Sequence, residues 1–287
     1  MSKLLSQAEI DAFHRDGFVT PVRVISEDRA LYYRRCLEAF EDNYPDSRIK
    51  LDQKAHLLCP WVDEMIRESR ILDATEDILG PNILCWGTSL RAKRADGKTF
   101  AGWHQDTAYA DVKPIVLIVV VALSSSRSID GCIRGIPGSH HGPLLPHREA
   151  FDTHSLLTRE QFIDANLDES AAVDFELDPG EIAIFNNAII HSSNPNRGHD
   201  RRILFLLEMI PTHAYQHSPR ESATLVRGRD TLGNFDVDPC PQAEMGTSEL
   251  RAWERAVEIQ ASVLFRGAQR PPRALAGMIS GKPPTGT

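Results

Sequence analysis

The chain has 287 residues, 41% hydrophobic and 25% charged, which is the balance of an ordinary globular protein. Its 32 basic and 40 acidic residues leave a net charge of −8, so the footprint of a nucleic-acid binder is missing. No apolar run approaches the roughly 18 residues of a membrane span, and the opening MSKLLSQAEIDAFHRDG lacks an apolar signal core. The five cysteines (Cys36, Cys59, Cys85, Cys132 and Cys240) are scattered and form no CxxC pair. That argues against a disulfide framework or a thiolate zinc site and predicts a cytoplasmic protein.

In chain order, Ser6 with Glu9 forms a capping box that opens a short helix, and Gly17 ends it. A second helix is expected over Glu27 to Asn43, stopped by Pro45, and a third over Trp61 to Leu79, stopped by Gly80-Pro81. Strands follow at Asn82 to Leu90, Ile115 to Leu123, Cys132 to Ile136, Val173 to Leu177, Glu181 to Phe185 and Arg202 to Ile210. The ten-residue apolar stretch Pro114 to Leu123 reads as a buried strand. Asp178-Pro179-Gly180 reads as a hairpin-type turn. Ser248 to Phe265 has helical spacing, and the last residues, 268–287, read as a loose tail. No linker or internal repeat divides the chain. A single α+β domain over 1–287 is therefore expected: a mainly helical part over 1–81, a jelly-roll core over 82–212, and an extension over 213–287.

Two places carry chemistry. In Trp103-His104-Gln105-Asp106, residues two apart share a face of an extended chain, so His104 and Asp106 can meet on one ion. His191 ends the apolar run Ile189-Ile190. Two histidines and a carboxylate on a β scaffold make the facial triad of a non-haem Fe(II) oxygenase, with three positions open. An isolated HxD is common by chance, so the arginine is what sharpens the reading. Arg202 lies eleven residues after His191 at the head of an apolar strand, and its guanidinium fork suits a carboxylate. Arg201 is its rival, because a shift of one residue exchanges the two faces.

The ordered set H-Q-D at 104–106, G-C-I-R-G-I-P-G-S-H at 131–140 and H-S-S-N-P-N-R-G-H-D-R-R at 191–202 resembles the phytanoyl-CoA dioxygenase family, a branch of the Fe(II)/2-oxoglutarate oxygenases. K-A-H-L-L-C-P-W, L-G-P-N-I-L-C-W, D-P-G-E and S-A-T-L-V-R-G resemble it too, so the likeness covers roughly residues 5 to 245. The resemblance implies a double-stranded β-helix (jelly-roll, cupin-like) core buttressed by helices. It implies iron ligands His104, Asp106 and His191, with Arg202 anchoring the 2-oxoglutarate cosubstrate. Ser193 would add a hydroxyl bond to the same carboxylate, and Lys54 stands where some members place a cosubstrate lysine. Val120 departs from the tryptophan usual before Ala122-Leu123.

The expected function is hydroxylation of an unactivated C–H of a small or medium-sized metabolite, using O₂ and 2-oxoglutarate. Desaturation, cyclisation or epoxidation by the same oxidant stands beside it. Halogenation fits less well, because Asp106 fills the position a halide would need. Readings of other classes are a non-catalytic jelly-roll binding module holding a structural metal and a zinc hydrolase on a cupin-like barrel. His140, His141 and His199 read as loop residues. Arg91, Lys93, Arg94 and Arg134 read as a charged face that keeps strand edges soluble, ahead of a cationic rim for substrate. No phosphate loop, GxSxG elbow or HExxH is present. No nucleic acid or membrane partner is expected, and the oligomeric state is not legible.

Overall fold

A computed structural model describes residues 2–266 apart from 109, 111, 151 and 218; the tail expected over 268–287 lies outside the described residues. The larger sheet has seven strands, in the order Phe18–Arg23, Glu181–Asn186, Leu117–Ala122, Arg202–Pro211, Ile83–Lys93, Ser222–Arg227 and Asp236–Val237. The smaller has four, Ala101–His104, His191–Ser193, Ile133–Gly135 and Val173–Phe175. Neighbours are antiparallel except for the last pair of the larger sheet.

Strand alternation explains why the larger sheet is apolar on both faces. Val119, Val121, Ile182, Ile184, Ile203, Phe205 and Leu207 join one buried cluster with the helices. Val120, Ala122, Ala183, Phe185 and Leu204 join a second cluster with Ile133, Phe175 and Ile189 on the side of the smaller sheet. The whole of Leu117–Ala122 is buried, as a strand covered on both sides must be. This is the jelly roll with helices over one face.

The first helix runs Gln7–Asp16, with the reciprocal Ser6–Glu9 capping bonds and Gly17 at its end. The second is Glu27–Asn43, as expected. The third expected helix is two, Pro60–Ile66 and Ser69–Leu79, broken at Arg67-Glu68. Arg67 holds Asp63 at 3.0 Å and also reaches the Leu225 carbonyl at 3.1 Å, so the break is fixed by a strand distant in sequence. The last helix, Thr247–Leu264, packs Trp253 and Val257 onto the same cluster as the first helices.

A second correction concerns Asp178-Pro179-Gly180. The strands on either side, Val173–Phe175 and Glu181–Asn186, belong to different sheets, so this turn crosses between sheets and closes no hairpin. Turn residues announce a reversal but not the partner of the next strand.

One irregularity shapes the interior. Glu208 pairs with Gly87 and Met209 with Cys85, leaving Trp86 as the extra residue of a bulge. Trp86 and Gly87 therefore both line the interior cavity, and beyond the bulge Ser89 and Arg91 line it as well.

Candidate metal centre

His104 ends its strand, and its Cα is paired directly with that of His191, the first residue of the neighbouring strand. Asp106 opens the short 3-10 turn Asp106–Ala108 that follows. One ligand atom from each of the three lies within 4.8 Å of the others. His104 Nε2 is 3.4 Å from Asp106 Oδ1, and His191 Nε2 is 3.8 Å from Asp106 Oδ2.

The far side of each imidazole is also fixed. His104 Nδ1 lies 2.8 Å from the Gly102 carbonyl and His191 Nδ1 lies 3.1 Å from that of Ile189. A carbonyl accepts the Nδ1 proton, which turns Nε2 of each ring toward Asp106. Burial, then the neighbouring His104, pulls His191 down to about 4, so it is neutral at physiological pH. Burial opposes the charge on Asp106, but the two histidines outweigh it and hold its carboxyl below its ordinary value.

Arg202 is 1% exposed and opens the central strand on its inward face. Its Nη1 donates to the Gly131 carbonyl at 2.8 Å and its Nη2 to the Arg91 carbonyl at 3.1 Å. Its buried Nε has no partner among the described residues, and no carboxylate pairs with it there. Burial pulls it down to about 10. Arg201 faces outward and pairs with Glu41 at 2.7 Å, which settles the register.

Lys93 corrects the sequence reading. It pairs directly with Arg202 across the sheet and is fully buried, not a solubilising edge. Its ammonium donates to Ser193 Oγ at 2.7 Å, to the Asn194 carbonyl and to the Gly131 carbonyl at 3.4 Å. Burial, then Arg202, pushes it down to about 6. Gly131 has φ +71, and a Cβ there would stand 2.2 Å from the Asn194 carbonyl, so only glycine brings its carbonyl to both cations. Arg91 also faces the cavity and departs from the edge reading. Arg94 is exposed as expected, and Arg134 lies over the Trp103 ring at 5.4 Å.

A cavity of about 150 Å³ joins His104, Asp106 and His191 to Arg202 and Ser193. Lys54 also lines it, but its ammonium donates to the Trp86 carbonyl at 2.6 Å and the Ser222 carbonyl at 2.9 Å, with Asp238 at 3.7 Å. That holds it beside Trp86 and Glu221, outside the group around Arg202. Val120 is buried in the inner cluster, while Val116 and Ile118 reach the cavity. His199 is exposed, and His140 and His141 stack on each other at 3.9 Å outside the cavity. Glu208 is a lining residue that sequence reading missed, as are Asp52 and Glu221. Its signal was parity, since it is the acidic residue of RILFLLEMIP in phase with Arg202.

The pattern of the phytanoyl-CoA dioxygenase (PhyH) family matches residues 3–204. The chain belongs to the phytanoyl-CoA dioxygenase family. Among curated relatives it is 26% identical over 189 residues to the "Probable alpha-ketoglutarate-dependent hypophosphite dioxygenase" of Stutzerimonas stutzeri, covering 63% of this chain and 65% of that one. The match thus spans just under two thirds of that relative's length. Among solved structures it is similar to the non-heme monooxygenase ThoJ, at 29% identity and TM-score 0.82, covering 91% of this chain and 98% of ThoJ. CytC3 with Fe(II) and alpha-ketoglutarate shares the fold, at TM-score 0.63 and 23% identity over 85% of this chain and 97% of that one.

The residues present fit what iron- and 2-oxoglutarate-dependent members of this family require. Two imidazoles and one carboxylate, each oriented by its surroundings, are a facial donor set for Fe(II). An arginine buried without a carboxylate, with one N–H unmatched, fits the distal carboxylate of 2-oxoglutarate. Among the described residues, no helix is long and apolar enough to cross a membrane.

Proposed function

We propose that this protein is an Fe(II)- and 2-oxoglutarate-dependent dioxygenase that hydroxylates an unactivated C–H of a small or medium-sized metabolite. The observation that carries this is Arg202, a buried cation without a carboxylate partner in the cavity that also contains the His104–Asp106–His191 set. A structural metal pin has no use for such an anchor.

In this reading His104, Asp106 and His191 hold the metal, and Arg202 takes the distal carboxylate of the cosubstrate. When bound, iron and 2-oxoglutarate with O₂ supply the oxidising power for C–H attack, releasing succinate and CO₂. The protein's part is placement and drying. Lys93 fixes the Ser193 hydroxyl beside Arg202, so that this hydroxyl can join the carboxylate. Val116, Ile118, Ile133 and Leu206 supply apolar wall, and the end of the last helix closes in with Val263 and Leu264. Excluding water there strengthens each ionic contact. The likeness to a monooxygenase supports oxygen insertion over the other outcomes of the same oxidant.

The test is succinate formation from 2-oxoglutarate by the iron-loaded protein, with and without a metabolite panel. Succinate that needs both iron and O₂, and rises with one metabolite alongside a product 16 mass units heavier, is the expected result. Protein that binds neither iron nor 2-oxoglutarate would overturn the proposal.

A further inference from the structure

Residues 202, 206 and 208 of the central strand all line the cavity, and strand rise sets Arg202 and Glu208 about 20 Å apart along it. The strand thus begins in a cation and reaches an acid. The cosubstrate anchor occupies the first end, so the second is left for substrate.

Glu208 is an unusual acid. No hydrogen bond or ion pair to its carboxylate is made among the described residues. Its neighbours in the wall are otherwise engaged. Glu221 accepts from Trp86 Nε1 and from Gln216 Nε2, both at 2.9 Å. Asp52 accepts from Arg48 at 3.0 Å. Lys54 lies against two carbonyls and Asp238, and Arg91 divides its field between Asp52, Asp106 and Glu208.

The room for this carboxylate is built by one residue. A Cβ at Gly87 would stand 2.1 Å from Glu208 Oε2, so glycine at the cross-strand position lets the carboxylate lie over the strand. The bulge residue Trp86, next to Gly87 in the chain, lines the same cavity. A carboxylate and an indole lining one cavity with Val116 and Ile118 are the chemistry that receives an organic ammonium.

We propose that Glu208, seated over Gly87 beside Trp86, selects substrates bearing a protonated amine and so turns a neighbouring C–H toward His104, Asp106 and His191. Burial, then the negative field of Asp106, pushes the Glu208 carboxyl up to about 7, and an incoming ammonium would relieve that cost. This inference rests on the dioxygenase reading, because it assigns the Arg202 end to 2-oxoglutarate.

The experiment is calorimetric titration of the Fe(II)- and 2-oxoglutarate-loaded protein without oxygen, using benzylamine, propylamine, benzyl alcohol and benzoate. Wild type should bind an amine roughly tenfold or more tighter than the alcohol or the benzoate. Glu208→Gln should lose that preference while keeping its iron and 2-oxoglutarate stoichiometry. Gly87→Ala, which displaces the carboxylate without removing it, should weaken amine binding in the same direction. Alcohol or benzoate binding as tightly as the amines, or no amine binding by loaded protein, overturns the proposal. Amine binding that survives Glu208→Gln marks ligation to the metal and overturns it too. Failure of wild type to take up iron and 2-oxoglutarate is a different result, and it removes the dioxygenase reading itself.

Discussion

The two sheets divide the work of the molecule unequally. The larger sheet has strands of up to 11 residues, apolar on both faces and covered by helices on one. The smaller has strands of three or four residues, yet it carries His104 and His191, with Asp106 just beyond its edge. Long, doubly buried strands supply cooperative stability, and short strands beside an open cavity can present polar ligands without weakening that core. The larger sheet enters the chemistry at inward positions such as Arg202 and Glu208. Substitutions in the two sheets should therefore separate stability from function.

The sharpest break is His191→Ala. It removes a donor from the smaller sheet and touches the larger one at the Phe185 ring, 4.8 Å away. Losing an outer partner of a metal ligand costs about 10–100-fold, so losing the ligand itself should cost more than roughly 100-fold in iron affinity. Iron content by metal analysis should fall to background, with a melting profile of the metal-free protein close to wild type. Retained iron would remove His191 from the ligand set.

The reverse pattern is expected on the larger sheet. Phe205 is fully buried and meets the Trp61 ring edge-on at 5.6 Å, on the helix side away from the cavity. Phe205→Ala should cost about 3–5 kcal/mol of stability in urea unfolding, with iron stoichiometry unchanged in the folded protein. An effect below 1 kcal/mol would mean that the helix layer contributes far less than its burial implies.

Arg202→Ala tests the one residue that joins the two regions. Iron should remain bound, while the KM for 2-oxoglutarate rises by the equivalent of about 2–5 kcal/mol. Arg201→Ala, which removes outward pairings with Glu41 and Glu38, should leave that KM within about twofold. An equal effect from both substitutions would mean that surface charge, not the buried fork, attracts the cosubstrate.

How far the sequence disclosed these features follows from how local they are. The Ser6–Glu9 capping box and the bounds of Glu27–Asn43 depend on near neighbours, and both read correctly. The break at Arg67 depends on Leu225, and the sheet crossing at Asp178–Gly180 depends on distant pairings, so neither has a local mark. The grouping of His104, Asp106 and His191 was legible, but by a different geometry from the extended chain expected: His104 ends its strand and Asp106 opens the 3-10 turn beyond it. Family spacing chose Arg202 over Arg201, and the inward face of Arg202 agrees with that choice. Lys93 and Glu208 were hidden for different reasons. The expected strand ended at Leu90, and the extra residue at Trp86 resets the parity of Ile83–Lys93, so nothing local put Lys93 on an inward face. Glu208 is in phase with Arg202 on its own strand, but parity gives the face a residue takes and not that a cavity lies there.

The smallest expected effect separates burial from pairing at Glu208. Its carboxyl lies at about 7 in the folded protein, above its ordinary 4.5, with burial as the largest cause. Between those values the folded state binds more protons than the unfolded state, so stability falls as pH rises through the window. Glu208→Gln removes the titration and the buried charge together. In metal-free protein the variant should be more stable than wild type at pH 8, by on the order of 2 kcal/mol in urea unfolding. At pH 5, near the foot of the window, the gain should shrink below about 1 kcal/mol. A divalent metal on Asp106 cancels part of the negative field that raises Glu208, so loading the metal should move the window to lower pH. A variant less stable than wild type at pH 8 would instead mean that a partner in the fold holds Glu208 charged, and the acid would then be closed to substrate.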